Sequence, residues 1–273
     1  RRLRAHHREP HQVLLAVITS FEAPISLVSQ AVRGLRRVVD QRHKPETSYV
    51  ISVEMFHAGA LKALPGLLDM SRFNGAIIAN TIPEDDAFLG AAFIPYPAVL
   101  IGREISGYSS VREAPGVGKQ AADILMAAGC SKIAVLHPGV LTQSTSGRRN
   151  EFMAAVAACM GAHPEGIVSD DLSESAGFEA MRRFLAGRQD IDGVFTTTDT
   201  LAVGAYHAIK QAGLKIPDDI AVIGVGDSDA ARYMDPPLSS IGMSQVRLSE
   251  EATRLLLDHL DGKTSKPVSV LVP

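Results

Sequence analysis

The pattern that most restricts this 273-residue chain is a repeated grammar. A short β-branched run is followed by a loop of Gly, Pro or small polar residues, and then by an amphipathic stretch with helical spacing. Val13–Thr19 is such a run, with a helix expected near Ile25–Gln41. Tyr49–Val53 precedes Gly59–Asp69, and Gly75–Ala79 precedes a short segment and Ala98–Ile101. Val117–Ala128 has the small residues of a helix that packs closely on a sheet, and Gly129 supplies its C-cap. A second series then places strands at Ile133–His137, Glu165–Val168, Gly193–Thr197 and Ile220–Val225. They alternate with helices at Arg148–Met160, Ser175–Gly187 and Thr200–Gly213. Pro236–Ile241, a long helix at Leu248–Asp261 and a strand at Lys266–Val272 complete the chain.

Such alternation implies parallel sheets covered by helices on both faces. Each series supplies about five or six strands, more together than one sheet comfortably carries. The expected fold is therefore α/β, with two doubly wound parallel-sheet lobes. In such sheets the ligand crevice lies beyond the carboxyl ends of the strands. The loops there, Ser20–Pro24, Gly102–Gly107, His137–Gly147, Ser169–Ser173, Thr196–Thr200 and Gly226–Asp229, are rich in Ser, Thr and Asp. That lining suits a hydroxylated or charged small molecule.

Composition removes several alternatives. With 46% hydrophobic and 21% charged residues the chain is globular rather than disordered. Its apolar runs fall far short of the roughly 18 residues a membrane span needs. A net charge of −3 limits any contact with nucleic acid to a local patch. The two cysteines, Cys130 and Cys159, fit buried free thiols in a reducing compartment.

Gly116-Val-Gly118-Lys-Gln-Ala121 matches a dinucleotide fingerprint, but Ser109–Pro115 before it does not read as the hydrophobic strand that motif requires. Gly224-Val-Gly226-Asp227 follows a strand but lacks the third glycine. No nucleophile elbow, phosphate-binding loop or spaced Cys/His ligand set is present, so neither a metal, a cofactor nor an enzyme is expected. Asp199 and Asp227 stand at expected strand ends, where a carboxylate accepts hydrogen bonds from ligand hydroxyls or caps a helix. Arg148, beside Arg149 at a helix start, offers a planar fork for a carboxylate or vicinal hydroxyls. The opening Arg1-Arg-Leu-Arg-Ala-His-His-Arg8 carries no acid; it reads as either a solvated tail or an arm on DNA phosphates.

Asp192-Gly-Val-Phe-Thr-Thr-Thr-Asp-Thr-Leu-Ala-Val-Gly204 and Ala208–Gly224 resemble LacI/GalR-type transcriptional regulators, and Asp235-Pro-Pro-Leu-Ser-Ser-Ile241 and Leu260-Asp-Gly262 follow in the family's order. Pro97-Ala-Val-Leu-Ile-Gly-Arg103 and Ala128–Leu136 extend the resemblance more loosely over nearly the whole chain. The resemblance implies a periplasmic-binding-protein-like fold whose lobes are joined by three crossovers. On this reading 1–10 is the end of a hinge segment, 11–130 plus 243–262 the first lobe, and 131–242 plus 263–273 the second. A helix-turn-helix domain would precede the chain, with Arg1, Leu3 and Arg4 as a DNA-contacting arm and Leu3 as a minor-groove wedge.

The resemblance also places the effector against Phe21, Pro24, Ile25, Arg103, Thr142, Ser144, Arg148, Leu172, Thr198, Asp199, Gly226 and Asp227. Gly226 stands where the family has an acid, so two arginines with fewer carboxylates suggest a sugar acid, gluconate-like, rather than a neutral sugar. The implied protein is a cytoplasmic homodimeric regulator, of the repressor kind, that binds operator DNA. A periplasmic sugar-binding protein of a transport system is the alternative.

Overall fold

The computed structural model describes residues 11–42, 46–187, 190–242 and 245–273. The expected arm at Arg1, Leu3 and Arg4 lies outside the described residues. Two all-parallel sheets organise the chain. The first holds β1 (His11–Ser20), β2 (Thr47–Phe56), β3 (Gly75–Ile78), β4 (Ala98–Ile101), β5 (Ser109–Glu113) and β11 (Ser269–Val272), in the order β11-β5-β4-β3-β1-β2. The second holds β6 (Ile133–Pro138), β7 (Glu165–Ser169), β8 (Gly193–Thr196), β9 (Ala221–Val225) and β10 (Ser239–Ile241), in the order β10-β9-β8-β6-β7.

Helices cover both faces of each sheet, which is why central strands such as β3, β6 and β8 are buried throughout. On the first sheet α1 (Ile25–Gln41) and α8 (Gln245–Leu260) share one core with Leu15, Val17, Ile77 and Val99, while α2 (Pro83–Ala91) closes the other face over Ile18, Ile78 and Leu100. On the second sheet α3 (Val117–Ala127) and α4 (Gln143–Met160) pack over Val135, Phe195 and Ile223. The opposite face is covered by α5 (Glu174–Gly187) and α6 (Asp199–Gln211), with the short α7 (Asp229–Tyr233) at its edge.

Several expectations need correction. Ser109–Glu113 is a strand although it reads as polar, because partners satisfy its buried hydroxyls: Ser109 Oγ lies 2.7 Å from His259 Nε2 and Ser110 Oγ bonds Ser269 Oγ at 3.1 Å. Gly59–Asp69 forms only a 3-10 turn, Leu61–Ala63, because Pro65 removes a donor and Gly66 turns at positive φ. The final strand joins the first sheet: Val270 pairs with Val111 and Val272 with Glu113, which overturns the placement of 263–273 in the second lobe. Likewise α3 packs on α4 and the second sheet, so the first lobe gives way to the second just after Glu113 rather than near residue 130. The chain passes back after β10, and α8 lies against α1.

Candidate ligand cleft

The carboxyl ends of both sets of strands face a polar cleft of about 90 Å³ between the lobes. From the first lobe Ser26 and Gln30 of α1, Asn80 after β3, Arg103 after β4 and Glu113 at the end of β5 line it. The second lobe contributes Thr142, Ser144 and Arg148 of the α4 amino end, Leu172, Thr198, Asp199 and Gly226. Thr142 is the N-cap of α4, accepting from the amide of Thr145 at 3.2 Å, and this fixes the first turn that carries Ser144 and Arg148.

Arg103 is only 2% exposed. Its Nε donates to the carbonyl of Ile101 at 3.0 Å, and its Nη1 stands 3.6 Å from Asp86 Oδ1, without a hydrogen-bond partner among the described residues. Burial pushes its pKa down to about 10, against the opposing pull of Asp86 and Asp85, so it stays charged at neutral pH. Arg148 is held more completely. Nε and Nη2 donate to the two carboxylate oxygens of Glu113 at 2.6 and 2.7 Å, and Nη1 donates to the carbonyl of Thr197 at 2.8 Å.

Asp199 is buried and its carboxylate is occupied within the protein, by the Ser240 hydroxyl at 2.7 Å and the Ser228 amide at 2.8 Å. Caps come from Thr198 on α6 and Ser228 on α7, not from Asp199 or Asp227. Three further hydrogen bonds cross the cleft mouth. Ser144 Oγ donates to the carbonyl of Gly102 at 2.9 Å, Gln143 Nε2 to Asp86 at 3.3 Å, and the Glu104 amide to Gln143 Oε1 at 3.1 Å. The lobes are thus tied in a closed arrangement.

Arg103, Thr142, Ser144, Arg148, Leu172, Thr198, Asp199 and Gly226 come together on this cleft. Phe21, Pro24, Ile25 and Asp227 do not line the cleft. Phe21 is 54% exposed, its ring tilted against that of His57 with centroids 4.9 Å apart, while Ile25 is 76% exposed. Pro24 serves as the cap residue of α1. Asp227 turns at φ 43° and pairs with Arg232 at 3.0 Å. Glu113, Gln30, Ser26 and Asn80 were missed. Ser26 and Gln30 carried a signal, a polar i, i+4 pair on an amphipathic helix. Asn80 follows a strand end, and Glu113 became visible only when its segment proved to be a strand.

The Gly116–Ala121 motif does follow a strand, the polar β5. It still offers no phosphate seat, because the amides of Gly116 and Gly118 donate to the Glu151 carboxylate, each at 3.0 Å. Among the described residues, no group of His, Cys, Asp and Glu is placed to hold a metal, and no helix is long and apolar enough to cross a membrane.

Two parallel-sheet lobes that close on a polar cleft at their strands' carboxyl ends define a bilobed ligand-binding protein. The chain belongs to the periplasmic binding protein-like domain family, whose profile matches residues 122–273. Similar proteins include HTH-type transcriptional regulators. It is 30% identical over 158 residues to the transcriptional regulator CelR of Thermobifida fusca, covering 58% of this chain and 46% of that protein. It is 35% identical over 137 residues to the transcriptional repressor PurR of Yersinia pestis, covering 50% and 40%. The chain spans less than half the length of these curated relatives. Among solved structures, a dimeric Lac repressor with a C-terminal deletion superposes with a TM-score of 0.81 at 25% identity, covering 96% of this chain and 95% of that one. The CelR–cellobiose complex superposes at 0.82 with 23% identity, covering 97% and 83%.

Proposed function

We propose that this chain is the effector-sensing and dimerisation core of a transcriptional regulator of the repressor kind, responsive to a small sugar or sugar acid. The observation that carries this reading is the cleft itself. Polar groups from both lobes converge where closure alters their relative position, so a ligand there has differential contacts with open and closed forms. The relatives are transcription regulators rather than enzymes. The CelR–cellobiose complex supports a sugar as the ligand class. The sugar-acid preference rested on two arginines facing few carboxylates, and Glu113 weakens it by supplying one to Arg148.

On this reading a homodimer passes lobe closure to operator DNA through a helix-turn-helix domain outside this chain, with Arg1, Leu3 and Arg4 as the arm and a cytoplasmic location. Linkage then requires ligand and operator to change each other's affinity by the same factor, typically 5–150-fold. Calorimetry of this chain against sugars, sugar acids and their amides identifies a ligand. Mobility shifts of the full-length protein on its promoter DNA, with and without that ligand, test the rest. Operator affinity indifferent to every ligand of the cleft refutes the proposal.

A further inference from the structure

The charged groups of the cleft already have protein partners, Arg148 across the two lobes and Arg103 and Asp199 each within its own lobe. Arg103 has Asp86 behind it at 3.6 Å, and Arg148 holds both oxygens of Glu113 at 2.6 and 2.7 Å. The carboxylate of Asp199 faces two protein donors. Glu113 is not a mobile surface acid. It is the last residue of β5, paired through the backbone with Val272 of β11, and its side chain is only 14% exposed. The sheet therefore sets its direction, and α4 of the opposite lobe delivers Arg148 to it.

We propose that Glu113 is the specificity-determining residue of the cleft: its carboxylate occupies the Arg148 fork from the opposite lobe, excludes anions from it, and leaves uncharged hydroxyl groups as the chemistry accepted there. This rests on the reading of the cleft as the effector site. An anionic ligand group would have to displace Glu113 and leave a part-buried carboxylate without its cation, which burial penalises steeply. A hydroxyl needs no displacement. A guanidinium carries five N–H donors, and three here are engaged, by Glu113 and the Thr197 carbonyl, so the remaining N–H groups on Nη1 and Nη2 can each donate to a neutral oxygen.

Inorganic sulfate tests this without requiring the effector. Sulfate is titrated calorimetrically at constant ionic strength into the wild-type chain, Glu113→Gln, and the double variant Glu113→Gln/Arg148→Met. The expected result is a sulfate dissociation constant at least tenfold lower for Glu113→Gln than for wild type, about 1.4 kcal/mol, with that gain lost in the double variant. Equal binding by wild type and Glu113→Gln overturns the proposal, and so does a gain that survives loss of Arg148. Should Glu113→Gln not fold, Glu113→Asp, whose carboxylate is shorter by one methylene, must show at least a threefold gain, and no gain overturns the idea. Because neither sugar nor operator enters the titration, its failure is separate from failure of the sensor reading.

Discussion

Gly118 of α3 lies so close to Arg148 of α4 that a Cβ at position 118 would stand 2.0 Å from the Arg148 carbonyl oxygen and 2.7 Å from the Phe152 amide. The helix that carries the principal cleft cation is therefore seated by the absence of a side chain on its neighbour. Both clashes are with backbone, which cannot swing aside. Gly118→Ala is expected to cost roughly 1–3 kcal/mol by overpacking and to weaken ligand binding by displacing Arg148. Thermal melts and calorimetry on the same preparation check both effects, and an unchanged melting temperature would falsify the packing argument.

Asp199 and Asp227, both at strand ends, should separate cleanly. Asp199→Ala leaves the Ser228 amide and the Ser240 hydroxyl without their acceptor, a loss of roughly 2 kcal/mol, and should reduce ligand affinity. Asp227→Ala removes only a solvent-exposed pair with Arg232 and should leave both stability and affinity nearly unaltered. Urea unfolding and ligand titration of both variants decide; an affinity loss at Asp227 would return that residue to the cleft.

Acid sensitivity should include a contribution from His137. Burial lowers its pKa below 6.5, a hydrogen bond to the Pro138 carbonyl opposes this, and Arg149 lowers it further. A base whose folded pKa is depressed binds protons more readily when unfolded, so stability falls as pH drops through 6.5 toward the folded value and does not fall further from this group below it. His137→Asn should flatten the stability profile as pH falls below 6.5. If the variant's profile parallels that of wild type in this window, His137 does not titrate in the manner described.

Closure of the ligand-free chain should depend on the hydrogen bonds at the cleft mouth. Gln143 and Ser144 of α4 reach Asp86, Glu104 and Gly102 of the first lobe. The double variant Gln143→Ala/Ser144→Ala removes the side-chain groups that bridge the lobes there while leaving each lobe's core untouched. Small-angle scattering should then report a larger radius of gyration without ligand, with melting temperature nearly preserved. Identical scattering curves would show that other contacts hold the lobes together.

The alternation of β-branched runs and helical stretches already determined most of the architecture, because a parallel strand buried on both faces must read as a continuous apolar run. Val13–Thr19, Ile133–His137 and Ile220–Val225 each became a strand on that basis, with ends shifted by a few residues. Likewise the loops that carry Arg103 and Ser144 were legible as cleft-facing, since they follow strand ends where parallel sheets open their crevice, and Arg148 was legible as a guanidinium fork near a helix start.

Only the tertiary structure decided what those residues meet. Ser109–Glu113 is too polar to announce a strand, and β11 joins it through backbone hydrogen bonds, which leave no mark on side-chain pattern. That pairing aims Glu113 at Arg148 across the two lobes. Similarly, the positive φ of Asp227 turns its carboxylate away to Arg232, whereas the helical start of α6 turns that of Asp199 inward. Periodicity determines which face of an element is buried; the charge carried by a cleft depends on side chains far apart in sequence, whose meeting is set by how the lobes pack.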